Sequence, residues 1–158
     1  IEGGEDPLFI ARRLVISASE DIGLANPNAM LLAQACLQSV HQIGMPEGRI
    51  PLAECTIYLA TSPKSNSAYM AINEAIETVK KQGALPVPLH LRNAPTKLMK
   101  ELGYAEDYKY AHNYAGNFVD QEFLPKEISG KVFYNPANNP KEAELRRSLA
   151  TKWKKYNY

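Results

Sequence analysis

Residues 6–23, DPLFIARRLVISASEDIG, set the fold class because they contain each signal of an amphipathic helix. An aspartate such as Asp6 accepts a hydrogen bond from a free backbone N–H, and a proline such as Pro7 fits the first helical position. Gly23 can end the helix. Between these limits, apolar residues recur at steps of three and four, at Leu8, Ala11, Val15, Ala18 and Ile22. The stretch therefore predicts a helix with one inward face.

Two further helices follow. Asn26-Pro27 repeats the start signal, and the apolar positions of residues 30–43 cover most of the helix circumference. We therefore expect this second helix to be central and buried. Residues 51–61 predict a third helix with an inward face made of Leu52, Cys55 and Leu59.

A fourth helix is predicted over residues 65–81, and Gly83 closes it. Its apolar side consists of Ala68, Ile72, Ala75, Ile76 and Val79. Residues 83–139 follow no period, apart from a short helix over residues 96–102. Within them, residues 132–134 are a weak strand candidate that would pair with residues 89–92.

The last predicted helix covers residues 140–156. Asn139-Pro140 starts it, and Glu142 lies three residues after the cap, where its side chain can reach back. Its apolar stripe consists of Leu145, Leu149, Trp153 and Tyr156. The chain is thus predicted to be a single all-α domain with a helical core at about 6–82, a long irregular segment at about 83–139 and a C-terminal helix at about 140–156, with a short β-hairpin as an option.

The bulk composition limits the class of protein. At 158 residues, 45% apolar and 22% charged, the sequence is typical of one soluble globular domain. The longest apolar run is too short to span a bilayer, so no membrane association is expected. The polar start IEGGED, without methionine, indicates a piece of a longer protein. Cys36 and Cys55 do not make a disulfide framework and lie on apolar helix faces, which predicts core packing in a reducing cytoplasm.

Charge is distributed unevenly. The net charge is +1, but residues 1–60 hold three cations and seven acids, whereas residues 61–158 hold fifteen cations and ten acids. The basic second half permits an anionic partner without requiring one.

No catalytic or metal-binding pattern is present. Lys64-Ser65 lacks the preceding glycines that let backbone N–H groups surround a phosphate. Cys36, His41 and Cys55 lack the paired spacing of a zinc site. We therefore expect no enzyme activity, no cofactor and no metal in this chain.

Three polar clusters remain, and two of them lie between helices. Ser19-Glu20-Asp21 places two carboxylates at a helix C-terminus, where the backbone dipole disfavours them. Either Arg12, Arg13 or a distant cation neutralises them, or the broken local rule marks a functional site. The second cluster, Lys64-Ser65-Asn66, is interpreted as a capped turn between helices.

The third cluster, consisting of His90, Arg92, Asn93 and Lys97, joins cations to a proline-restricted backbone. These side chains either contact phosphate or fasten a long non-helical segment to the helices. The tyrosines that follow either stack on bases or form a subunit interface, and we favour the interface because Glu106 and Asp107 repel a nucleic-acid backbone. These tyrosines are Tyr104, Tyr108, Tyr110 and Tyr114.

Several motifs together carry a family resemblance. They are Asp6-Pro7-Leu8 with Ala11-Arg12-Arg13, Ser19-Glu20-Asp21-Ile22-Gly23, Pro63-Lys64-Ser65-Asn66, the HLRNAPTK run at 90–97, Gly103-Tyr104, and Tyr108-x-Tyr110-x-His112. With them the chain resembles the C-terminal region of the replication-associated recombination protein family, called RarA or MgsA in bacteria and related to the Werner-helicase-interacting ATPases.

The resemblance implies a function for a larger protein. In this family an AAA+ ATPase module precedes a helical region similar to the collar of clamp-loader subunits, and that region assembles a homotetramer. The whole protein is a DNA-dependent ATPase acting at stalled forks, with DNA and single-strand-binding protein as partners, in the bacterial cytoplasm at the nucleoid. ATP and Mg²⁺ are expected only in the AAA+ module, which has no counterpart here.

The function predicted for this chain is therefore homotetramerisation, and the alternative is a nucleic-acid-binding module that contacts DNA through the basic second half. The motif residues are expected to have a structural or partner-contact role. They are Arg12, Arg13, Ser19, Glu20, Asp21, Lys64, Ser65, Asn66, His90, Arg92, Asn93, Lys97, Tyr104, Tyr110 and His112.

Overall fold

A computed structural model describes all 158 residues, and its regular structure is entirely helical. The predicted all-α class is confirmed. None of the helices is both long and apolar enough to cross a bilayer. Short 3₁₀ turns occupy parts of the segment between α5 and α6, and the α-helices are α1 Pro7–Ser17, α2 Asn28–Ile43, α3 Arg49–Thr61, α4 Ser67–Gln82, α5 Lys97–Glu101 and α6 Pro140–Lys152.

The predicted start of α1 is confirmed. Both carboxylate oxygens of Asp6 accept hydrogen bonds from the first turn, from the N–H groups of Leu8 at 3.2 Å and Phe9 at 2.9 Å. Beyond Ser17 the chain continues as one π-helical turn, Ala18–Ile22, and stops at Gly23, whose φ is +50°. The wider π turn adds a residue per turn to the end of the helix.

The predicted cap of α2 is wrong in detail. The helix begins at Asn28, close to the expected place, but the Asn26 side chain makes no capping bond. Its amide instead donates to the hydroxyl of Tyr58 on α3 at 3.0 Å and to that of Ser62, the residue after α3, at 3.1 Å. From the sequence alone, an asparagine that caps a helix cannot be distinguished from one that donates hydrogen bonds to residues distant in the chain.

The chain divides into two compact units. The first consists of Ile1–Asn73 and Tyr134–Arg146. In it α2 packs against both α1 and α3, and the buried contacts are made mainly by small side chains, which allow helices to approach closely. The core residues are Ala11, Ala18, Ile22, Ala29, Ala33, Cys36, Val40, Leu52, Cys55 and Leu59.

The two cysteines behave as small core residues, as predicted. Both are buried and unpaired. Burial, together with the neighbouring Cys36 and Glu54, raises the pKa of Cys55 to about 11. At neutral pH these thiols are protonated, and a protonated buried thiol is a poor nucleophile.

The prediction that α2 is buried around most of its circumference is wrong. In α2, only one face is buried, and Met30, Leu31 and Ile43 are exposed. In α4, the predicted apolar face is exposed, whereas the buried positions include Ser67 and Thr78. Amphipathic periodicity identifies an apolar stripe but does not say whether the chain's own helices cover it.

The second unit consists of Glu74–Phe133 and Arg147–Tyr158. Lys131 ties its irregular segment to α4, with Nζ 2.6 Å from Glu74 Oε1 and 2.6 Å from Thr78 Oγ1. The predicted stripe of the last helix is half-buried, but α6 ends at Lys152, and residues 154–156 form a 3₁₀ turn.

The optional β-hairpin is absent. Leu89–Leu91 is a 3₁₀ turn rather than a strand, and no strand forms at residues 132–134. The N–H groups of Leu91 and Arg92 donate locally, to the carbonyl oxygens of Pro88 at 3.0 Å and Leu89 at 3.1 Å. A strand pairing would require those donors, so the local turn excludes the hairpin.

Candidate functional site

The motifs at the end of α1 and before α4 meet in the first unit. The Ser65 N–H donates to the Asp21 carbonyl oxygen at 2.8 Å. A Cβ on Gly23 would lie 2.7 Å from the Ser65 carbonyl oxygen, a distance that real Cβ atoms do not adopt. Glycine at position 23 therefore satisfies two requirements at once, the positive φ and the close approach of the two backbones.

The carboxylates of this region are not neutralised as expected. Asp21 accepts a hydrogen bond from the Ser17 hydroxyl at 2.7 Å, and neither Glu20 nor Asp21 has an ion pair. Arg12 lies 3.6 Å from Asp6 instead, and Arg13 has no ion pair. Two helical turns, about 11 Å along the axis, separate the arginines from the carboxylates, which is too far for contact. The hydroxyl of Ser19 bonds back to the helix backbone.

Glu142 is the centre of the most extensive polar network in the first unit. It is completely buried, and its Oε1 accepts from Ser67 Oγ at 2.5 Å, the Tyr134 hydroxyl at 3.0 Å and the Ala137 N–H at 3.1 Å. Its Oε2 accepts from Asn139 Nδ2 at 2.5 Å. Every donor is neutral, so the carboxylate is stabilised by hydrogen bonds rather than by a cation.

The environment of Glu142 keeps its carboxylate charged. Burial raises the pKa, but the nearby Ser65 hydroxyl and the hydrogen bonds from Ser67, Asn139 and the Ala137 N–H outweigh burial and lower the pKa to about 2. The sequence predicted the local part of this network: the Glu142 N–H donates to Asn139 Oδ1 at 2.9 Å, as in a capping box. It did not predict the partner Ser67 at the start of α4, because that residue lies 75 positions away along the chain.

In the second unit, two motif residues fasten the irregular segment internally. Arg92 Nε donates to the Val87 carbonyl oxygen at 2.7 Å and Nη1 donates to the Tyr104 hydroxyl at 3.1 Å, while the guanidinium lies 5.1 Å from the Tyr104 ring centroid. His90 Nε2 lies 2.8 Å from the Glu122 carbonyl oxygen. These contacts favour the fastening role of His90 and Arg92 over phosphate contact.

The other predicted site residues lie on the surface. Lys97 is 91% exposed and is 3.9 Å from Glu101. The rings of Tyr110 and His112 lie 5.0 Å apart at a tilt of 49°. The exposed members of the set also include Lys64, Asn66 and Asn93.

Glu122 is a second carboxylate centre that the sequence did not indicate. It accepts from the Ser129 hydroxyl at 2.6 Å, the Leu124 N–H at 3.0 Å and the Tyr156 hydroxyl at 2.9 Å, and Lys155 Nζ lies 3.4 Å away. Burial raises the pKa of Glu122, but these bonds and the lysine charge lower it to about 2. No local sequence signal distinguishes Glu122 from an ordinary surface glutamate, because its partners Lys155 and Tyr156 lie 33 and 34 positions away along the chain.

Comparison with known proteins tests the family resemblance that the motifs indicate. Residues 1–153 match the family described as MgsA AAA+ ATPase C terminal. The chain belongs to this family. It is 43% identical over 150 residues, or 94% of its length, to the replication-associated recombination protein A of Coxiella burnetii, and 42% identical over 151 residues to that of Escherichia coli K12. In each case the aligned region is 34% of the relative's length.

A eukaryotic relative extends the family. The chain is 46% identical over 135 residues, 85% of its length, to the ATPase WRNIP1 of Dictyostelium discoideum, of which it covers 15%. The family resemblance predicted from the motifs is therefore confirmed. The chain spans about a third of the length of these bacterial relatives. It corresponds to the C-terminal region of AAA+ ATPases of this family.

Proposed function

We propose that this chain is the homotetramerisation domain of a AAA+ ATPase that acts in replication-associated recombination. The observation that carries the proposal is the presence of two apolar surfaces that the chain's own helices leave uncovered. Contiguous apolar patches on a soluble protein usually mark interfaces with other molecules. The names of the bacterial relatives supply the process, replication-associated recombination.

The first surface lies between α2 and α3 in the first unit. Leu31 on α2 is 69% exposed and Ile57 on α3 is 64% exposed. Together with Leu32 and Tyr58 they line a groove of about 680 Å³. Removing apolar surface from water is favourable, so this groove favours binding of an apolar surface of another molecule.

The second surface is the outward face of α4. Tyr69, Ile72, Ile76 and Val79 follow one another at steps of three, four and three, which places them on one side of the helix. Each is between 43% and 60% exposed. Ile72, Ile76 and Val79 belong to the apolar side that the sequence predicted for this helix.

Two surfaces of this kind suit a tetramer of dihedral symmetry. An isologous contact uses the same patch on both subunits, so one patch makes a dimer. A dimer of dimers needs a second, different patch on every subunit. The chain offers two such patches, and family resemblance favours four subunits.

Sedimentation of variants tests the proposal. We expect the wild-type chain to sediment as a tetramer, four times 17.6 kDa, at micromolar concentration and in high salt, since apolar contacts are not screened. The double variant Leu31→Glu/Ile57→Glu should stop at a dimer. The double variant Ile72→Glu/Ile76→Glu should also stop at a dimer, and the combination of all four changes should give monomers.

The matched control is Leu98→Glu, which places the same charge on an exposed apolar residue of α5, outside both surfaces. This variant should remain a tetramer. A wild-type chain that sediments as a monomer would contradict the proposal, and so would tetramers that survive both double substitutions.

A further inference from the structure

A row of exposed side chains runs along α1 and the π-helical turn that follows it. Phe9, Arg13, Ile16 and Glu20 follow one another at steps of four, three and four, which places them on one side of the helix. Phe9 is 43% exposed and Ile16 is 40% exposed, and both charged side chains are exposed as well. This row, the α1 stripe, shares no residue with the two apolar surfaces of the proposed tetramer.

The two charges of the α1 stripe have no partner within the chain. No acidic side chain lies within 4.0 Å of the Arg13 guanidinium, and no cation lies within that distance of the Glu20 carboxylate. About 11 Å of helix axis separates the two residues, so they do not pair with each other. Glu20 also lies at the end of a helix, where the backbone dipole disfavours an acid. Both charges are therefore available to another molecule.

The order of the charges makes the α1 stripe complementary to itself. Arg13 lies three positions before Ile16, and Glu20 lies four positions after it. A twofold rotation about an axis near Ile16 reverses this order, so a second copy of the chain presents an acid to Arg13 and a cation to Glu20. One such contact forms two ion pairs and brings the two Ile16 side chains together, as an isologous interface requires.

We propose that the α1 stripe packs antiparallel against the α1 stripe of a second copy of the chain. The inference rests on the proposed tetramer and adds a charged contact that sets the direction in which two subunits face each other. A tetramer of dihedral symmetry has three twofold axes, and the two apolar surfaces use two of them. Exposed ion pairs contribute little free energy by themselves, so the contact aligns subunits that the apolar surfaces hold together.

Cross-linking through one introduced cysteine tests the geometry. The variant Ile16→Cys places a thiol beside the proposed axis, where a short bis-maleimide can join it to the same thiol of a second copy. Because an isologous contact links each chain to one partner, the product on a denaturing gel should be a pair of chains and nothing larger. The native Cys36 and Cys55 are buried, and the wild-type chain measures their background.

The matched control is Glu47→Cys. Glu47 is exposed and belongs to the same unit, but it lies in the turn before α3, outside the α1 stripe and both apolar surfaces. This variant should give much less paired product than Ile16→Cys at the same protein concentration.

Charge reversal tests the ion pairs. Arg13→Glu and Glu20→Arg each place like charges opposite each other, so each should raise the concentration at which half of the tetramers dissociate by at least about tenfold. The double variant Arg13→Glu/Glu20→Arg forms both pairs again with the charges exchanged, and its tetramer should dissociate at the wild-type concentration. The single variants change the net charge in opposite directions, so a general charge effect cannot weaken both and spare the double variant.

Two outcomes would overturn the inference and leave the proposed tetramer in place. In the first, the chain sediments as a tetramer but Ile16→Cys gives no more paired product than Glu47→Cys. In the second, the double reversal weakens the tetramer as much as the single reversals do. A wild-type chain that sediments as a monomer would overturn the tetramer and this contact together. Unchanged circular dichroism will show that the variants keep their helices.

Discussion

The two units of this chain are ordered by different forces. Every fully buried apolar residue lies in the first unit, where α1, α2 and α3 enclose a core of small side chains. In the second unit the only buried residue is Thr78. Its irregular segment is held by individual polar contacts, such as those of Arg92 and Glu122. The first unit should therefore tolerate the loss of a surface contact, whereas the second depends on a few named side chains.

Replacement of Glu142 by alanine should cause the largest loss of stability. The change leaves the Ser67 and Tyr134 hydroxyls and the Ala137 N–H without an acceptor inside the first unit. Buried donors without partners cost about 1–3 kcal/mol each, and partial rehydration reduces the sum, so we expect a decrease of about 2–4 kcal/mol in the free energy of unfolding. Urea denaturation followed by circular dichroism measures it.

The control for this prediction is Glu144→Ala, on the same helix. Glu144 is exposed and pairs only with Lys141 at 3.3 Å. Its removal should change the free energy of unfolding by no more than about 0.5 kcal/mol. Equal effects at positions 142 and 144 would show that the first unit does not depend on its buried carboxylate.

Arg92→Ala should have the next largest effect, and it should act on the second unit. The variant loses two hydrogen bonds and the contact with the Tyr104 ring, in a unit that has little apolar burial to compensate. We expect a loss of about 1–2 kcal/mol, since the guanidinium is half-exposed and water replaces part of its hydrogen bonding. Trp153, the only tryptophan, reports the unfolding of this unit by fluorescence.

Lys97→Ala is the control for Arg92, because both belong to the same motif. Lys97 is almost fully exposed, so its removal should leave the melting temperature unchanged within error. An Arg92→Ala variant as stable as Lys97→Ala would indicate that Arg92 serves a partner rather than the fold.

The difference between the units also explains how far the sequence predicted the structure. Helix limits such as the Asp6 cap and the Gly23 stop depend on residues a few positions apart, so the sequence contains the whole signal. The burial of α4 cannot be predicted in this way, because an apolar stripe has the same sequence pattern whether it faces the chain's own core or another subunit. The proposed hairpin failed because short apolar runs carry no strand period, and the proline-restricted turn at Leu89–Leu91 used the donors.

The candidate sites show the same limit. Motif resemblance identified Arg92 and Ser65, and the family is confirmed. The partners that give these residues a role, Tyr104 for Arg92 and Asp21 for Ser65, lie 12 and 44 positions away. Glu122 was missed entirely, since it combines donors from Ser129 and Tyr156 that no spacing rule connects. Local patterns predict elements, whereas polar networks arise only when the elements meet.

The smallest expected effect is the loss of stability in acid that follows from protonation of Glu122. Its pKa is about 2 in the folded chain against an ordinary value of 4.5. Because the folded pKa is lowered, the ionised form stabilises the fold, and this contribution is fully present above about pH 4.5. It is lost as the pH falls toward 2, where the folded carboxylate also gains a proton.

We therefore expect the wild-type chain to lose stability between about pH 4.5 and 2, and Glu122→Gln to lose less over the same interval. The difference should be small because the Glu122 side chain is 26% exposed and water screens its charge. Glu142 also has a pKa lowered to about 2, but its contribution to the acid response is common to both proteins and cancels in the comparison. The measurement is the urea midpoint by Trp153 fluorescence at a series of pH values. If both proteins lose stability in parallel, the acid response comes from other carboxylates, and the polar bonds around Glu122 do not stabilise the second unit.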